Sequence, residues 1–372
     1  MTARKVSLPK MDYKFLGVVL ALLAFGLIAL SSASTVLSFE RFGNSYYYFL
    51  RQIMFGAIPG LILMYALSRI DYHVWQKYAP LLILAGLIML VAVLIPGIGF
   101  KVGNARRWIN FGYFLFQPAE YLKLAMIIYL ASWYDKRSHH AHDLYYGFLP
   151  SLTTVSLVAL LIILEPDIGT MLVLVLIAAV MFFVGGVALK YLASAGAAGL
   201  LVLWILVKAA PYRLQRFVAY FNPSVDTKGI SYQINQALIA IGSGGLWGTG
   251  FGQSRQKYNY LPEAIGDSIF AIVSEELGFI RVLVILMLFL FLAIRGFRIS
   301  KQAPDTFGKL LALGITSWIV IQALVNIGGI TSIIPLTGIP LPFISYGSTA
   351  MAVTLSGGGI LLNISRNANQ QV

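Results

Sequence analysis

The chain has no cysteine among its 372 residues, so it can form no disulfide, offers no thiolate nucleophile and builds no cysteine-ligated metal site. Charge is nearly as scarce: 11% of residues are Asp, Glu, Lys or Arg, against about a quarter in an ordinary soluble domain. With 59% hydrophobic residues, such a chain cannot cover its apolar surface with polar side chains, and lipid must do so. Acids are scarcest, 14 against 27 Lys and Arg, so every carboxylate inside or beside an apolar stretch needs a reason. Three of the four histidines, His139, His140 and His142, share one short charged loop and read as a solvated turn rather than a metal site.

What is present arrives in blocks. Apolar runs fall near residues 15–32, 47–67, 78–95, 118–134, 146–164, 169–186, 190–209, 268–294, 308–327 and 345–364. Each is long enough to cross about 30 Å of hydrocarbon as a helix, and the short alternating segments of a barrel are missing. The fold class that follows is an all-α polytopic membrane protein of about ten transmembrane helices, a single domain over residues 1–372 with no separate soluble part. Arg4, Lys5, Lys10 and Lys14 before the first run, with Ser32-Ala33-Ser34 at its end, imitate a signal peptide. The first run is long enough to span and further runs follow it, so it reads as an uncleaved first helix.

Basic residues in loops orient the spans. The N-terminal segment, Arg69 with Lys77, Lys136 with Arg137, Lys190, Arg295 to Lys309, and Arg366 all fall on one side if both termini are cytoplasmic. Two segments then place cations outside: Lys101, Arg106 and Arg107 after the third span, and Arg213, Arg216, Lys228, Arg255 and Lys257 in the long external loop, about 210–267, between the seventh and eighth. Solvated charge meeting anionic headgroups is one reading. The stronger one is a pocket for phosphate or pyrophosphate, since guanidinium groups match oxyanion geometry. Within that loop Tyr232 to Ile241 reads as a short amphipathic helix, re-entrant or lying in the interface.

Ionisable groups within spans are costly and are functional candidates. Glu120 and Lys123 lie three apart on one helical face and read as a buried pair, structural or substrate-contacting. Asp267 stands where the long loop enters the eighth span, with Glu275 and Glu276 deeper. A helix N-cap is the plain reading of such an aspartate; the other is a general base whose carboxylate faces a basic loop. Glu165-Pro166-Asp167 makes a very short turn that could join the same rim. Asn326 to Ser348 is uncharged and rich in Gly and Pro, which points to irregular backbone lining a cavity inside the protein.

Taken in order, these residues resemble the SEDS family (shape, elongation, division and sporulation), the group of FtsW and RodA, over nearly the whole chain. The motifs are Ala105-Arg106-Arg107-Trp108-Ile109, Phe116 to Leu124, Glu165 to Thr170, Tyr232-Gln233 with Ile241 to Leu246, Leu261-Pro262-Glu263-Ala264 through Asp267 to Phe279, and Pro340 to Gly347. The resemblance implies a peptidoglycan glycosyltransferase that polymerises lipid II at the external face of the bacterial inner or plasma membrane. The acceptor GlcNAc 4-hydroxyl attacks C1 of the donor MurNAc with inversion, and undecaprenyl pyrophosphate leaves. The family's catalytic aspartate corresponds to Asp267. Arg106, Arg107 and Trp108, the pair Glu120 and Lys123, and Arg213, Arg216, Lys257 and Ser345 are the expected substrate-contacting residues. No cofactor is required, though a divalent cation (Mg2+ or Mn2+) is compatible.

The expected partners are lipid II, a class B penicillin-binding protein transpeptidase and other division or elongation membrane proteins, with no nucleic acid. Where the family usually has His-Thr-Asp-Phe, this chain has Ile265-Gly266-Asp267-Ser268. The stretch Gly252 to Lys257 is closer to the division branch, that of FtsW. A lipid II flippase, and a scaffold that only recruits the transpeptidase, are the competing classes.

Overall fold

The structure, a computed structural model, describes residues 11–102, 105–140, 142–209, 220 and 229–368. Its helices are α1 Tyr13–Ala33, α2 Thr35–Phe42, α3 Tyr47–Arg69, α4 His73–Leu94, α5 Pro118–Lys136, α6 Leu144–Leu164, α7 Ile168–Val184, α8 Leu189–Ala209, α9 Ile230–Gly244, α10 Ile269–Gln302, α11 Thr306–Ile330 and α12 Ser348–Ala368. Seven of these (α1, α3, α4, α6, α10, α11 and α12) are long and apolar enough to cross a membrane by themselves. Ile168–Val184 and Leu189–Ile205 are apolar but shorter, and α5 carries Glu120 and Lys123. These last three fall on the remaining apolar runs of the sequence.

Helix starts consume the rare acids. Asp12, Asp143, Asp167 and Asp305 each accept a hydrogen bond from a first-turn backbone N–H, satisfying a donor that has no partner within the helix. The start of α1 and the end of α12 meet at one end of the bundle, where the Asp12 N–H donates to Ser365 Oγ at 3.1 Å and Arg295 pairs with Asp12. The α3–α4 turn joins them there, with the Tyr72 N–H donating to Asn363 Oδ1 at 3.0 Å and the Tyr72 hydroxyl donating to Asp305. Loops at the opposite end, the loop end, build the candidate site.

Two features depart from the sequence reading. The loop after α4 is a three-stranded antiparallel sheet, β1 Gly99–Val102, β2 Ala105–Asn110 and β3 Leu115–Phe116, in a chain read as all-α. Phe100 faces Trp108 and Lys101 faces Arg106 across the first pair, and aromatic cross-strand neighbours of this kind hold such ladders together. The second departure is in α10, which is not one rod. Gly278 breaks it at φ 76°, ψ 174°, leaving Ile269–Leu277 as a separate leading segment.

The loop fills this break. Phe279 N donates to Gly245 O at 2.9 Å, and Thr249 N donates to Glu275 O at 2.9 Å. The backbones touch so closely that a Cβ on Gly278 would lie 2.1 Å from Gly248 N, and one on Gly248 would lie 2.2 Å from Glu276 O. Both residues also need positive φ, so only glycine fits.

Between α11 and α12, residues 331–347 run without helix yet bury Leu336, Ile339, Leu341, Phe343 and Ile344. Irregular backbone can persist within a membrane protein when side chains supply its hydrogen bonds. Gln322 Nε2 donates to Pro340 O at 2.9 Å, Asn326 Nδ2 to Ile339 O at 2.8 Å, and Gln52 both donates to Ser345 O and accepts from Gly347 N. We refer to this buried run as the strap. Its irregular part is shorter than the expected Asn326 to Ser348, because Asn326 still belongs to α11.

Candidate active site at the loop end of the bundle

Asp267 lies half-buried, one residue before the N-cap position of α10, which Ser268 occupies. Gln233 on α9 aims its amide at it: Nε2 donates to Asp267 Oδ1 at 3.3 Å and to Ser268 Oγ at 2.9 Å, and the Ser268 hydroxyl lies 3.3 Å from the same carboxylate oxygen. Asn326 holds the backbone, donating to Asp267 O at 2.8 Å while it also binds Ile339 O of the strap. The preceding Leu261 to Gly266 loop is tied down where Tyr346 N donates to Ile265 O at 2.9 Å. Asp267 is thus fixed from four sides, and the capping residue of its helix is its neighbour.

A second set of charges lies beyond the strap. On β2, Arg107 donates from Nε to Glu165 O at 3.1 Å, donates to Pro166 O, and sits 3.7 Å from the Asp167 carboxylate. Asp167 in turn accepts from Gln117 Nε2 at 3.4 Å and caps α7 through Thr170 N at 3.1 Å. Gly169, the second residue of α7, touches the strap so closely that a Cβ there would lie 2.4 Å from Thr337 O. The Arg107–Asp167 pair and Asp267 are therefore both tied to the strap near Thr337 and Ile339. Beside that pair is Glu165, wholly buried, with neither carboxyl oxygen hydrogen-bonded. Burial and then the Asp167 charge push its carboxyl up to about 9, against the opposing pull of Arg107.

An apolar groove of about 550 Å³ opens beside this set, lined by Phe55, Leu63, Trp75, Phe116, Tyr121 and Val353 among others. Thr349, at its rim, accepts from Gln117 N at 3.2 Å, and Gln117 also holds Asp167. The groove extends from β3 at the loop end to Trp75 near the start of α4. Its length and apolar walls match a chain lying along the bundle.

The other expected site residues are placed as follows. Arg106 and Trp108 are half-buried on β2. Glu120 and Lys123 form a buried 2.8 Å pair, with Lys123 also donating to Gln322 Oε1 at 2.7 Å and lying 5.3 Å from the Trp318 ring. Lys257 is 6% exposed and turned inward, donating to Gly252 O at 2.6 Å and pairing with Glu276 at 3.4 Å. Ser345 is buried and its hydroxyl accepts from Leu341 N at 2.8 Å, closing a turn of the strap. Arg213 and Arg216 lie outside the described residues. Glu275 and Glu276 follow Asp267 about two turns along the same helical segment. They belong to the segment before the Gly278 break, and their carboxylates gather Ser254, Arg255 N and Lys257 of the loop.

Sequence reading missed Asn326, Gln233, Gln117 and Gln322 as organisers of the site. The available signal was an amide inside an otherwise apolar helix, where a polar side chain must bind another part of the protein. Gly103-Asn104, between two runs rich in β-branched and aromatic residues, was the available hairpin signal. Among the described residues no three His, Asp or Glu side chains group to hold a metal ion, so a divalent cation has no ready-made cage of protein ligands.

Residues 13–370 match the family model FtsW/RodA/SpoVE, described as cell cycle protein. Stage V sporulation protein E of Bacillus subtilis is 44% identical over 366 residues, covering 98% of this chain and 99% of that protein. A probable peptidoglycan glycosyltransferase FtsW of Trichlorobacter lovleyi is 41% identical, covering 96% and 94%. Among solved structures, a chain from a peptidoglycan synthase complex superposes with a TM-score of 0.78 at 27% identity, covering 96% of this chain and 98% of that one. The rod shape determining protein RodA of Thermus thermophilus superposes at 0.70 and 26% identity, covering 96% and 97%. Full-length coverage at these identities, on the same fold, leaves one assignment: the chain belongs to the FtsW/RodA/SpoVE family, the SEDS proteins, and is FtsW-like.

Proposed function

We propose that the protein is a peptidoglycan glycosyltransferase that polymerises lipid II, with its loop end facing outside the bacterial cell membrane and both termini in the cytoplasm. The observation that carries this reading is Asp267. It is a half-buried carboxylate oriented by Gln233 and Ser268, and it does not occupy the N-cap position of its helix. Asp267 takes the proton from the acceptor GlcNAc 4-hydroxyl as that oxygen bonds to C1 of the donor MurNAc. The C1–O bond to the pyrophosphate breaks on the opposite face, its electron pair leaves with undecaprenyl pyrophosphate, and the anomeric centre inverts. Arg106, on the hairpin, opposes the charge that develops on the leaving group, while Arg107 braces the turn at Glu165 and Pro166. The apolar groove beside Gln117 and Thr349 takes the polyprenyl chain. A divalent cation (Mg2+ or Mn2+) would arrive with the pyrophosphate, and the step above is written without one.

The name printed for the FtsW relative supports the activity, and the synthase complex among the structural neighbours supports a penicillin-binding transpeptidase as partner. Purified lipid II incubated with wild type and with Asp267→Asn tests the proposal. Wild type is expected to yield glycan strands and the variant at least 100-fold fewer, the scale set by losing a general base. Labelled lipid moved across vesicles without polymer would establish the flippase class. Neither activity, with the transpeptidase still bound, would leave a scaffold.

A further inference from the structure

Glu165 has no role in the mechanism above, yet it is the least accommodated acid in the described structure. Its side chain is 0% exposed, and both carboxyl oxygens lack a hydrogen-bond partner. The charged groups acting on it are Asp167, at the start of α7, and Arg107, on β2. Arg107 does not reach its carboxylate. The guanidinium binds the carbonyls of Glu165 and Pro166 instead, and its charge goes to Asp167. An ionised carboxylate buried without a partner is far more costly than a neutral acid in the same place. The consequence is electrostatic. With Glu165 neutral, Arg107 and Asp167 cancel, and Arg106 and Lys101 on the hairpin set the sign of the surface. With Glu165 ionised, the cluster tied to the hairpin through Arg107 carries one net negative charge.

We infer that Glu165 is a positioning residue that works only while its carboxyl holds a proton: neutral, it lets Arg107 brace the turn and leaves the hairpin cationic, and ionised, it repels an anionic pyrophosphate headgroup. The inference rests on the proposed reading of this site for its ligand. Because the carboxyl is raised rather than lowered, the charge appears as pH rises through about 9 and is absent at neutral pH. Gln supplies the permanently neutral isostere of Glu165.

The test compares wild type with Glu165→Gln, each against itself, at pH 7.5 and 10. Lipid II polymerisation gives KM and kcat, and binding of undecaprenyl pyrophosphate to detergent-solubilised protein gives Kd. For wild type, KM and Kd are expected to rise roughly tenfold between the two pH values, the size of a unit charge about a nanometre away at intermediate dielectric, with kcat nearly level. In Glu165→Gln that rise should vanish, whereas lysines and tyrosines that titrate in the same range affect both proteins alike. A purely structural glutamate would leave the pH dependence of the two proteins the same, and that result overturns the inference. Infrared spectra of the wild type supply an arm that needs neither turnover nor a folded variant. A protonated-carboxyl band at pH 7.5 that disappears by pH 10 supports the inference, and an ionised Glu165 at pH 7.5 refutes it. Absence of polymer with the binding and infrared results intact would count against the polymerase reading alone.

Discussion

Replacing Lys123 with methionine should destabilise the protein more than any loss of packing can explain. The methionine roughly fills the volume, but it strands a carboxylate. Glu120 is 1% exposed, one of its oxygens already lacks a partner, and the other has only the Lys123 ammonium at 2.8 Å. Removing one member of a buried pair costs about 3–5 kcal/mol, which corresponds to roughly 4–6 °C in melting temperature for a chain of 372 residues. The Lys123→Met, Glu120→Gln double variant removes both charges. Gln322 Oε1 keeps its 2.8 Å bond from Trp318 Nε1, so the polar network does not collapse with the pair. The double variant should therefore recover at least half of the loss, a coupling of about 2 kcal/mol. Tryptophan fluorescence during thermal unfolding in detergent measures this directly, because the Trp318 ring lies 5.3 Å from Lys123 Nζ. Strict additivity of the two single variants would show that the charges do not depend on one another and would refute the reasoning.

Other changes should separate the frame of the site from its chemistry. Asn326→Ala removes the donors to Asp267 O and Ile339 O; misplacing a reacting group by about 1 Å costs about 100-fold, so kcat should fall tenfold to 100-fold while the bundle still melts cooperatively. An Asn326→Ala enzyme with unchanged kcat would mean that the strap does not position Asp267. Gly248→Ala and Gly278→Ala each force a Cβ into backbone at a positive φ, a strain of about 1–3 kcal/mol before the clash is counted. Trypsin should then cut at Arg255 and Lys257 faster than in wild type, and equal cleavage rates would show that the loop does not depend on that contact.

The spans were legible because burial in lipid demands long apolar runs, and few other demands produce them. Asp267 and the Arg107 loop were legible for the opposite reason, as charges in a chain that otherwise avoids them. Reading failed where a residue's role is set by distant partners. Lys257 looks like a loop cation waiting for an anion, and only the fold reveals that Glu276, reaching past Ser32 of α1, has already taken it. Ser345 looks like a hydroxyl beside a site, yet it closes a turn of the strap. The break at Gly278 was hidden because Ile269 to Gln302 as a whole is apolar enough to span, despite Glu275, Glu276 and Arg281 beside the break. Hydropathy records what solvent a residue prefers, and the break is imposed by Gly248 approaching from thirty residues away.

The same reasoning explains why amides, rather than charges, build the frame. Gln52, Gln117, Gln233, Gln322 and Asn326 link loop, strap and helices at the candidate site. An amide can donate and accept at once, which irregular buried backbone needs. It also adds no net charge to a region of low dielectric, where a stray unit charge acts over a long distance. An ionic frame of equal strength would have set its own field against that of the hairpin cations and Asp267. With neutral links, the charges left near the site belong to the groups proposed to meet substrate, and to pairs that cancel themselves, Arg107–Asp167, Glu120–Lys123 and Glu276–Lys257. That arrangement makes Glu165 the exception: it is the one frame residue able to acquire a charge, and it is buried where acquiring one is hardest.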